Sequence, residues 1–425
     1  MPNPPVNPPA TIANPPDPSA VHASALVIDA HADTPQRFVD ESWDFTSPLA
    51  IADQPAGHLN LATARRGNLA AEFFALWPDP AQCPGARYAL RTLTLLDAVR
   101  EQVRRHPAEL ALCTSPKELL AARAANKFAI LLGIEGGHAI ENSLALLRLY
   151  HALGVRYMTL TWANSNDWAE SSGDLHAPAS NALSFLSSRS AAEGSASPDA
   201  TSPAAPNGLT PFGRQVIAEM NRLGMMVDLS HVSDRTFDDV LAVTRAPVLV
   251  SHSSARALTA SPRNLTDDQL RALAANGGVC MVNFYPAFID ESYRQAWAAQ
   301  KPALLAAHKS LAAEYAAKGT PVPYHIANRI DREFAARLPR PPLSSLIDHF
   351  DHIISVAGID HIGLGSDFDG ICALPEGINS AADLPKITAA LLARGHSPAG
   401  LHKILGANLL RLFADTQSAA ESVAP

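Results

Sequence analysis

Cysteine, charge and long apolar runs are scarce in this sequence. Its four cysteines form no CxxC pair, so no oxidising compartment is indicated. No uncharged apolar stretch approaches the roughly 18–20 residues that span a bilayer. The net charge of −8 offers no basic surface to nucleic acid or to an anionic membrane. We therefore predict that the protein has neither a nucleic acid nor a membrane as its partner.

The first twenty residues contain eight prolines but no lysine, no arginine and no apolar segment. This composition argues against a secretory signal and predicts a Pro-rich, disordered arm over residues 1–22. The rest of the chain, with 47% hydrophobic residues overall, predicts a single catalytic domain over 23–415 and a tail over 416–425. We expect a cytoplasmic location, with export through a removed signal as the alternative.

Short apolar runs alternate with helical patterns along this domain. The predicted strands lie at residues 26–28, 70–77, 128–134, 157–161, 225–231, 246–252, 279–284 and 361–367. Such alternation is typical of parallel strands joined by crossover helices, and eight units predict a (β/α)8 or TIM barrel of the α/β class. A doubly wound open sheet is the alternative, but it would carry a Gly-rich phosphate turn after its first strand, which HADTP is not.

Two segments interrupt the alternation. Residues 171–208 are rich in Ser, Ala, Pro and Gly, and we predict a long flexible loop there. Residues 291–338 are Ala-rich and charged, with helix-forming runs at 293–318 and 324–337 and no strand pattern. This second segment is predicted to be a helical insertion in the barrel and not a second domain.

Metal-ligand and acid–base side chains follow five of the predicted strands. They are His31 and Asp33, Glu135, His231, His252 and Asp367. An extended segment points residues i and i+2 to the same side, so His31 and Asp33 could bind one cation together. Each residue alone could be a packed histidine or a turn-capping carboxylate. Six of them at the carboxyl ends of barrel strands, where active sites of this fold lie, argue for a functional cluster.

The composition of this cluster indicates two metal ions. Two imidazoles and a carboxylate suit zinc or a similar divalent ion. Three histidines and three carboxylates are too many for one tetrahedral site, but they suit two ions that share a carboxylate and hold a hydroxide between them. Glu135 is the expected bridge because no lysine stands at the end of a predicted strand; Lys127 opens its strand and lies at the opposite end of the barrel.

Six motifs support a family resemblance. They are HxDxP at 31–35, IEGGH at 134–138, DLSHVS at 228–233, SHSSAR at 251–256, SPRN at 261–264 and GSDFDG at 365–370. From about Val27 to Phe413 the chain resembles the membrane dipeptidase (renal dipeptidase) family, peptidase family M19, in a soluble bacterial-type form. The resemblance implies a barrel enzyme that cleaves dipeptides, and a homodimer.

The resemblance also implies a role for each motif residue. His31 and Asp33 would bind one Zn2+, His231 and His252 the other, and Glu135 would bridge the two Zn2+ ions. This set implies a binuclear zinc centre with a bridging hydroxide as the nucleophile.

Two further residues have implied roles in catalysis and substrate binding. Asp367 would shuttle a proton to the leaving amine. Arg263 would hold the C-terminal carboxylate of the substrate, for which a guanidinium fork is well shaped. Asp369, in the same motif as Asp367, is expected to be a turn or cap residue.

The chain departs from the family pattern at Trp162, where membrane-bound relatives have a histidine that contacts the scissile carbonyl. We predict Trp162 as a substrate-binding residue, with Asn164 or Asn166 as alternative hydrogen-bond donors. Losing such a donor typically costs about 10²–10³ in rate. Phe288 is a second departure, since relatives can have a tyrosine there.

Two other functions stay open at this point. One is a related binuclear amidohydrolase acting on another small amide or lactam. The other is a non-catalytic metal-binding barrel, which the Trp162 departure makes conceivable.

Overall fold

A computed structural model describes residues 16–49, 57–80, 83, 87–173, 206–320 and 322–421. Within them, nine strands form one parallel sheet. The strands are β1 (Val27–Ala32), β2 (Leu69–Leu76), β3 (Leu110–Leu112), β4 (Phe128–Glu135), β5 (Val155–Thr159), β6 (Met226–Asp228), β7 (Leu249–Ser253), β8 (Val279–Val282) and β9 (Ile362–Leu364). Eight of them close into a barrel, because β1 pairs with both β2 and β9, and β2 also pairs with β4. The predicted (β/α)8 barrel is therefore confirmed.

The strand that lies outside the closed barrel, β3, was not predicted. It pairs with β4 through the register Leu110 to Phe128 and Leu112 to Ile130, beside the closed barrel. Three residues are too few to show a strand period in the sequence. Two predicted strand ends were also wrong. β6 ends at Asp228, three residues before His231, and β9 ends at Leu364, three residues before Asp367.

Helices surround the barrel. They include α1 (Pro18–Ser24), α2 (Pro35–Asp40), α3 (Leu61–Arg66), α4 (Tyr88–Arg105), α5 (Pro116–Ala124), α6 (Leu144–Ala152), α7 (Pro211–Leu223), α8 (Asp234–Leu241), α9 (Asp267–Asn276), α10 (Pro286–Ile289), α11 (Glu291–Ala317), α12 (Tyr324–Ala335), α13 (Leu343–Ala357), α14 (Leu384–Ala393), α15 (Pro398–His402) and α16 (Asn408–Glu421). Side chains of Ser115, Thr210 and Ser233 cap the starts of α5, α7 and α8. A search of the described residues finds no helix with the length and hydrophobicity to cross a membrane.

The ends of the domain differ from the prediction. Helix α1 occupies residues predicted to be disordered, and its His22 is buried, with ring nitrogens 2.8 Å from the Gly67 carbonyl and 2.7 Å from the Thr388 hydroxyl. The disordered-arm prediction is therefore wrong for residues 18–22, because α1 is anchored to the barrel. Helix α16 continues to Glu421, past the predicted boundary at residue 415. Most of the predicted flexible loop, residues 174–205, and the start of the arm lie outside the described residues.

Neighbouring strand residues pack into separate apolar clusters. Phe73 of β2 and Tyr157 of β5 belong to one cluster. The next residues along each strand, Phe74 and Met158, belong to the other. This alternation follows from the two-residue period of a strand, which sends successive side chains to the inside of the barrel and to the surrounding helices. Packing on both faces holds the strand ends, and hence the predicted site residues, in fixed positions.

The two helices of the 291–338 segment, α11 and α12, coincide closely with the predicted helix-forming runs. His308 of α11 and Asp331 of α12 join them through an Nε2–Oδ1 distance of 3.0 Å. The Tyr324 hydroxyl of α12 donates to the carbonyl of Asp369, beside the end of β9. These contacts bring the insertion to the mouth of the barrel where the strands end.

Substitution of Gly133 tests the packing inside the barrel. Gly133 of β4 lies beside Tyr157, and a Cβ atom at residue 133 would lie 2.0 Å from the ring of Tyr157. We expect Gly133→Ala to lower the free energy of unfolding by about 1–3 kcal/mol, measured by urea denaturation, because the core cannot accommodate the methyl group. The effect should be much smaller in a Tyr157→Ala background. An equal loss in both backgrounds would show that the ring is not the obstacle.

Candidate active site

Four predicted ligands lie at the carboxyl ends of barrel strands. His31 is the fifth of six residues in β1 and Asp33 follows the strand directly. Glu135 is the last residue of β4, and His252 is the fourth of five residues in β7. All four are buried. The closure of the barrel therefore brings together side chains that are up to 221 positions apart in the sequence.

The other two predicted residues occupy turns beyond their strands. His231 follows β6 with φ 68°, and Asp367 follows β9 with φ 61°. The Asp367 amide donates to the His31 carbonyl (3.1 Å), and the Asp33 amide donates to the Phe368 carbonyl (2.8 Å). These two bonds join the turn after β9 to the end of β1 and so place the carboxylates of Asp33 and Asp367 side by side.

Glu135 lies between two groups of ligand atoms. Its Oε2 is 3.4 Å from His31 Nε2, which is itself 3.6 Å from Asp33 Oδ2. Its Oε1 is 2.9 Å from His231 Nε2 and 3.6 Å from His252 Nε2. Donor atoms on one tetrahedral zinc ion, at bond lengths of about 2.0–2.1 Å, lie about 3.3 Å apart. The spacing of this donor set is therefore that of metal ligands.

Unpaired polar atoms at the same place also fit a bound cation. Among the described residues, His31 Nε2 and Asp33 Oδ1 are buried without a hydrogen-bond partner. The Nε2 atoms of His231 and His252 face each other at 2.9 Å. Ligand atoms of His31, Asp33 and Asp367 all lie within 4.8 Å of one another. Buried polar groups normally have partners, and a metal ion would supply one for His31 Nε2 and for Asp33 Oδ1.

The histidines of the His231–His252 pair are neutral at neutral pH. Burial, together with the nearby Arg263 guanidinium, lowers the pKa of His231 to about 4. Burial and the neighbouring His31 ring hold the pKa of His252 well below its usual value. Neutral imidazole is the form that binds a metal ion, so both rings are in the required state.

The carboxylates crowd one another in a buried space. Burial raises the pKa of Asp33 to about 6, and the Glu135 carboxylate contributes to this rise. Burial also raises the pKa of Asp367 to about 8; His31 opposes this, while Asp33 and Glu135 add to it. Burial acts on Glu135 in the same direction, but the rings of His31 and His231 outweigh it and hold its pKa well below the usual range. A divalent cation would stabilise the charged form of all three carboxylates.

Hydrogen bonds orient the rings of His31 and His252 from behind. The Nδ1 of His252 lies 2.8 Å from the Ser251 hydroxyl, which donates to Asp228 Oδ2 at 2.6 Å. The Nδ1 of His31 lies 2.8 Å from the Tyr157 hydroxyl. With these partners on Nδ1, each ring presents Nε2 to the site, which is the usual arrangement around metal-ligating histidines.

The sequence reasoning missed several of these supporting residues. Asn283, whose Nδ2 donates to Asp367 Oδ2 at 3.0 Å, directly follows β8 and could have been found by the same strand-end rule. Asp228 and Ser251 lie within motifs that were recognised, but only their neighbours were given roles. Tyr157 lies inside a strand, where nothing in the sequence distinguishes it from an ordinary core residue.

The turn after β9 passes very close to the carboxylates. A Cβ atom at Gly370 would lie 2.0 Å from Asp33 Oδ2 and 2.4 Å from Asp367 Oδ1, so a larger residue would displace these carboxylates. Asp369 accepts hydrogen bonds from the Thr34 hydroxyl (2.7 Å) and the His58 amide (2.6 Å). It therefore stabilises the turn, as expected from the sequence.

Arg263 lies on the wall of the same site. Its Nη2 donates to the His252 carbonyl at 3.2 Å, and its guanidinium carbon lies 5.4 Å from the centre of the Phe288 ring. Within the described part of the chain, its buried Nε has no hydrogen-bond partner. The guanidinium fork therefore retains a donor for a ligand.

Trp162 lines the site next to a second tryptophan. Its ring centre is 4.7 Å from that of Trp77 and 6.5 Å from that of His231. The two asparagines considered as alternative donors do not line this wall. Asn166 is committed to its own loop, where Nδ2 donates to the Leu160 carbonyl and Oδ1 accepts from two backbone amides. Asn164 Nδ2 donates to the neighbouring Ser165 carbonyl.

A cavity of about 770 Å³ opens above these residues. Asp33, Glu135, His231, Arg263 and Asp367 lie along its lining. The helices α11 and α12 form much of the opposite wall. The insertion is thus part of the site, which its sequence gave no reason to expect.

Comparisons with known proteins agree with this arrangement. A sequence model of the membrane dipeptidase family (peptidase family M19) matches residues 17–188 and 181–424. An uncharacterised dipeptidase of Schizosaccharomyces pombe is 32% identical over 417 residues, covering 93% of this chain and 82% of that protein. Dipeptidase 3 of Mus musculus is 31% identical over 395 residues, covering 93% of this chain and 65% of the mouse protein.

A solved structure extends the comparison to the fold. It is that of a metallopeptidase from Rhodobacter sphaeroides liganded with a phosphinate mimic of the dipeptide L-Ala-D-Ala. It is 25% identical, covers 92% of this chain and 99% of its own, and has a TM-score of 0.69. Because the family match covers nearly the whole chain and a relative of comparable length shares a third of its residues, the chain belongs to the membrane dipeptidase family of metallopeptidases, peptidase family M19.

Proposed function

We propose that this chain is a zinc-dependent dipeptidase that hydrolyses the peptide bond of short substrates with a free C-terminal carboxylate. The observation that carries the proposal is the position of Glu135, whose Oε2 lies near His31 and whose Oε1 lies near His231 and His252. Family membership supports the reaction type. The dipeptide mimic in the Rhodobacter sphaeroides relative supports the substrate class.

The donor set would hold two zinc ions. His31 and Asp33 would hold one, His231 and His252 would hold the other, and Glu135 would bridge them, in line with the distances on each side of its carboxylate. Bound zinc lowers the pKa of water to about 7 and polarises a carbonyl group, which is the chemistry that peptide hydrolysis needs.

Arg263 orients the substrate. Its guanidinium binds the C-terminal carboxylate, for which a planar fork with an unpaired Nε is suited. Because Arg263 and Glu135 line one cavity, the bound carboxylate and the scissile bond of a dipeptide can be held in it together.

Asp367 transfers a proton from the attacking water to the leaving amine. Its carboxylate lies next to Asp33 and is held through Oδ2 by Asn283. Burial moves its pKa towards neutrality, so it can take up a proton as water attacks and release it to the leaving amine. Trp162 and Trp77 pack against each other in the lining of the cavity, and the Trp162 indole N–H would donate to the scissile carbonyl.

Removing the metal tests the centre. Dialysis against a chelator should remove about two zinc ions per chain, abolish dipeptide cleavage and lower Tm, because a ligand at 100 times its Kd stabilises the fold by about 2.7 kcal/mol. His231→Ala should lose metal in the same way, whereas His151→Ala, on α6 and outside the cavity lining, should not. Metal content is measured by elemental analysis. Undiminished cleavage after complete metal removal would contradict the proposal; zinc-dependent turnover of other amides or lactams alone would favour the related amidohydrolase.

Arg263→Ala tests carboxylate recognition. We expect kcat/KM for Ala-Ala to fall about 100-fold or more, because the substrate carboxylate loses a buried charged partner. Cleavage of the C-terminal amide of the same dipeptide, already slow, should change little. Arg271→Ala, an exposed arginine on α9, serves as the control. If both substrates lose the same factor, Arg263 does not bind the carboxylate.

Asp367→Asn tests proton transfer. The amide keeps the size of the side chain and its acceptor for Asn283 but cannot carry the proton, so kcat should fall about 10²–10⁴-fold with KM little changed. Stopped assays with zinc content measured on the same samples separate a lost proton carrier from a lost metal. A kcat within about threefold of the unsubstituted enzyme, at full metal content, would rule out this role.

A further inference from the structure

One face of α11 carries apolar side chains that belong to neither of the cores formed by the described residues. Trp297, Leu304, Leu311 and Tyr315 recur at helical spacing and all line the cavity; we call them the apolar stripe. They are half-buried, and Tyr293 is the buried residue of this helix. An apolar stripe on a helix normally packs into a core. Its exposure to a cavity instead indicates a surface that binds an apolar group.

A row of aromatic rings connects this stripe to the carboxylate-binding arginine. The Arg263 guanidinium lies over Phe288 (5.4 Å), Phe288 meets Tyr285 at 5.1 Å, and Tyr285 meets Trp297 of the stripe at 6.4 Å. We call Phe288, Tyr285 and Trp297 the aromatic row. All three rings line the cavity and are half-buried. The row therefore begins where a substrate carboxylate would be held and ends on α11.

The size of the cavity also indicates that it binds a bulky apolar group. Ligand sites typically measure roughly 300–1,000 Å³, and this one measures about 770 Å³. A dipeptide of two small residues would leave most of that volume to water against apolar walls. A bulky apolar side chain would displace this water, which is favourable.

We propose that the aromatic row and the apolar stripe form a subsite for a large apolar side chain on the C-terminal residue of the substrate. This inference rests on the proposed function, because Arg263 must hold the carboxylate for the side chain on the same residue to meet Phe288. The substrate class is therefore dipeptides that end in an aromatic or long aliphatic residue. The stripe shares one cavity with Asp33 and Glu135, so its occupant is the substrate and not a second protein surface.

The test compares dipeptides with the zinc-loaded full chain. Ala-Phe and Ala-Leu place the apolar group at the C-terminal position, Phe-Ala and Leu-Ala reverse it, and Ala-Ala is the reference. We expect kcat/KM for Ala-Phe to exceed that for Ala-Ala by about tenfold or more, since even one methylene group in an apolar pocket is worth about 10–200-fold.

Substitutions on α11 test whether this helix causes the preference for Ala-Phe over Ala-Ala. Leu304→Asn and Leu311→Asn keep the size of the side chain but make it polar, and each should lower the ratio of kcat/KM for Ala-Phe over Ala-Ala about tenfold. Both side chains face the cavity and not a core, so the fold should persist, which circular dichroism checks. Leu90→Asn is the matched control, because Leu90 is 60% exposed on α4 and does not line the cavity.

The outcomes separate this subsite from the proposed function. Equal rates for Ala-Phe and Ala-Ala, or a preference confined to Phe-Ala, would overturn the subsite and leave the dipeptidase standing. An unchanged ratio in both α11 variants would also overturn it. If the zinc-loaded chain cleaves no dipeptide, the proposed function fails and the subsite fails with it.

Discussion

The buried carboxylate of Glu135 is the constraint on which the site depends. It stands at the end of β4 with His31 on one side and His231 on the other, and these rings hold it in its charged form. A buried carboxylate without such partners would cost several kcal/mol. The end of β1 and the turn after β6, which carry these histidines, must therefore meet the end of β4, and closure of the barrel brings them together.

The barrel and the insertion contribute differently to this protein. Packing on both faces of each strand holds the strand ends in place, and the turn after β9 approaches the Asp33 carboxylate closely at Gly370. The helices α11 and α12 contact the mouth of the barrel, for example through the bond of Tyr324 to Asp369, and several of their apolar side chains line the cavity. The predicted ligands thus lie at or just beyond the ends of barrel strands, whereas the insertion lines the cavity without contributing any of them.

Much of the site could be predicted because its residues follow apolar strands. The same rule led to His31, Glu135 and His252, all of which lie at strand ends. It placed His231 and Asp367 on their strands, although both lie in left-handed turns three residues beyond. A turn of this kind has no hydrophobic period, so sequence patterning cannot locate it. Tyr157 was missed for a related reason, since a tyrosine that packs and a tyrosine that orients a histidine look alike in a strand.

The sequence by itself determined the eight barrel strands, the ligand types at their ends and the family. Hydrophobic period and motif spacing are local properties of the chain, so they can be read without coordinates. Only the tertiary structure decided which oxygen of Glu135 faces which histidine, and that α11 forms a wall of the cavity. Both depend on the closure of the sheet and on contacts between residues far apart in the chain, and no local pattern carries that information.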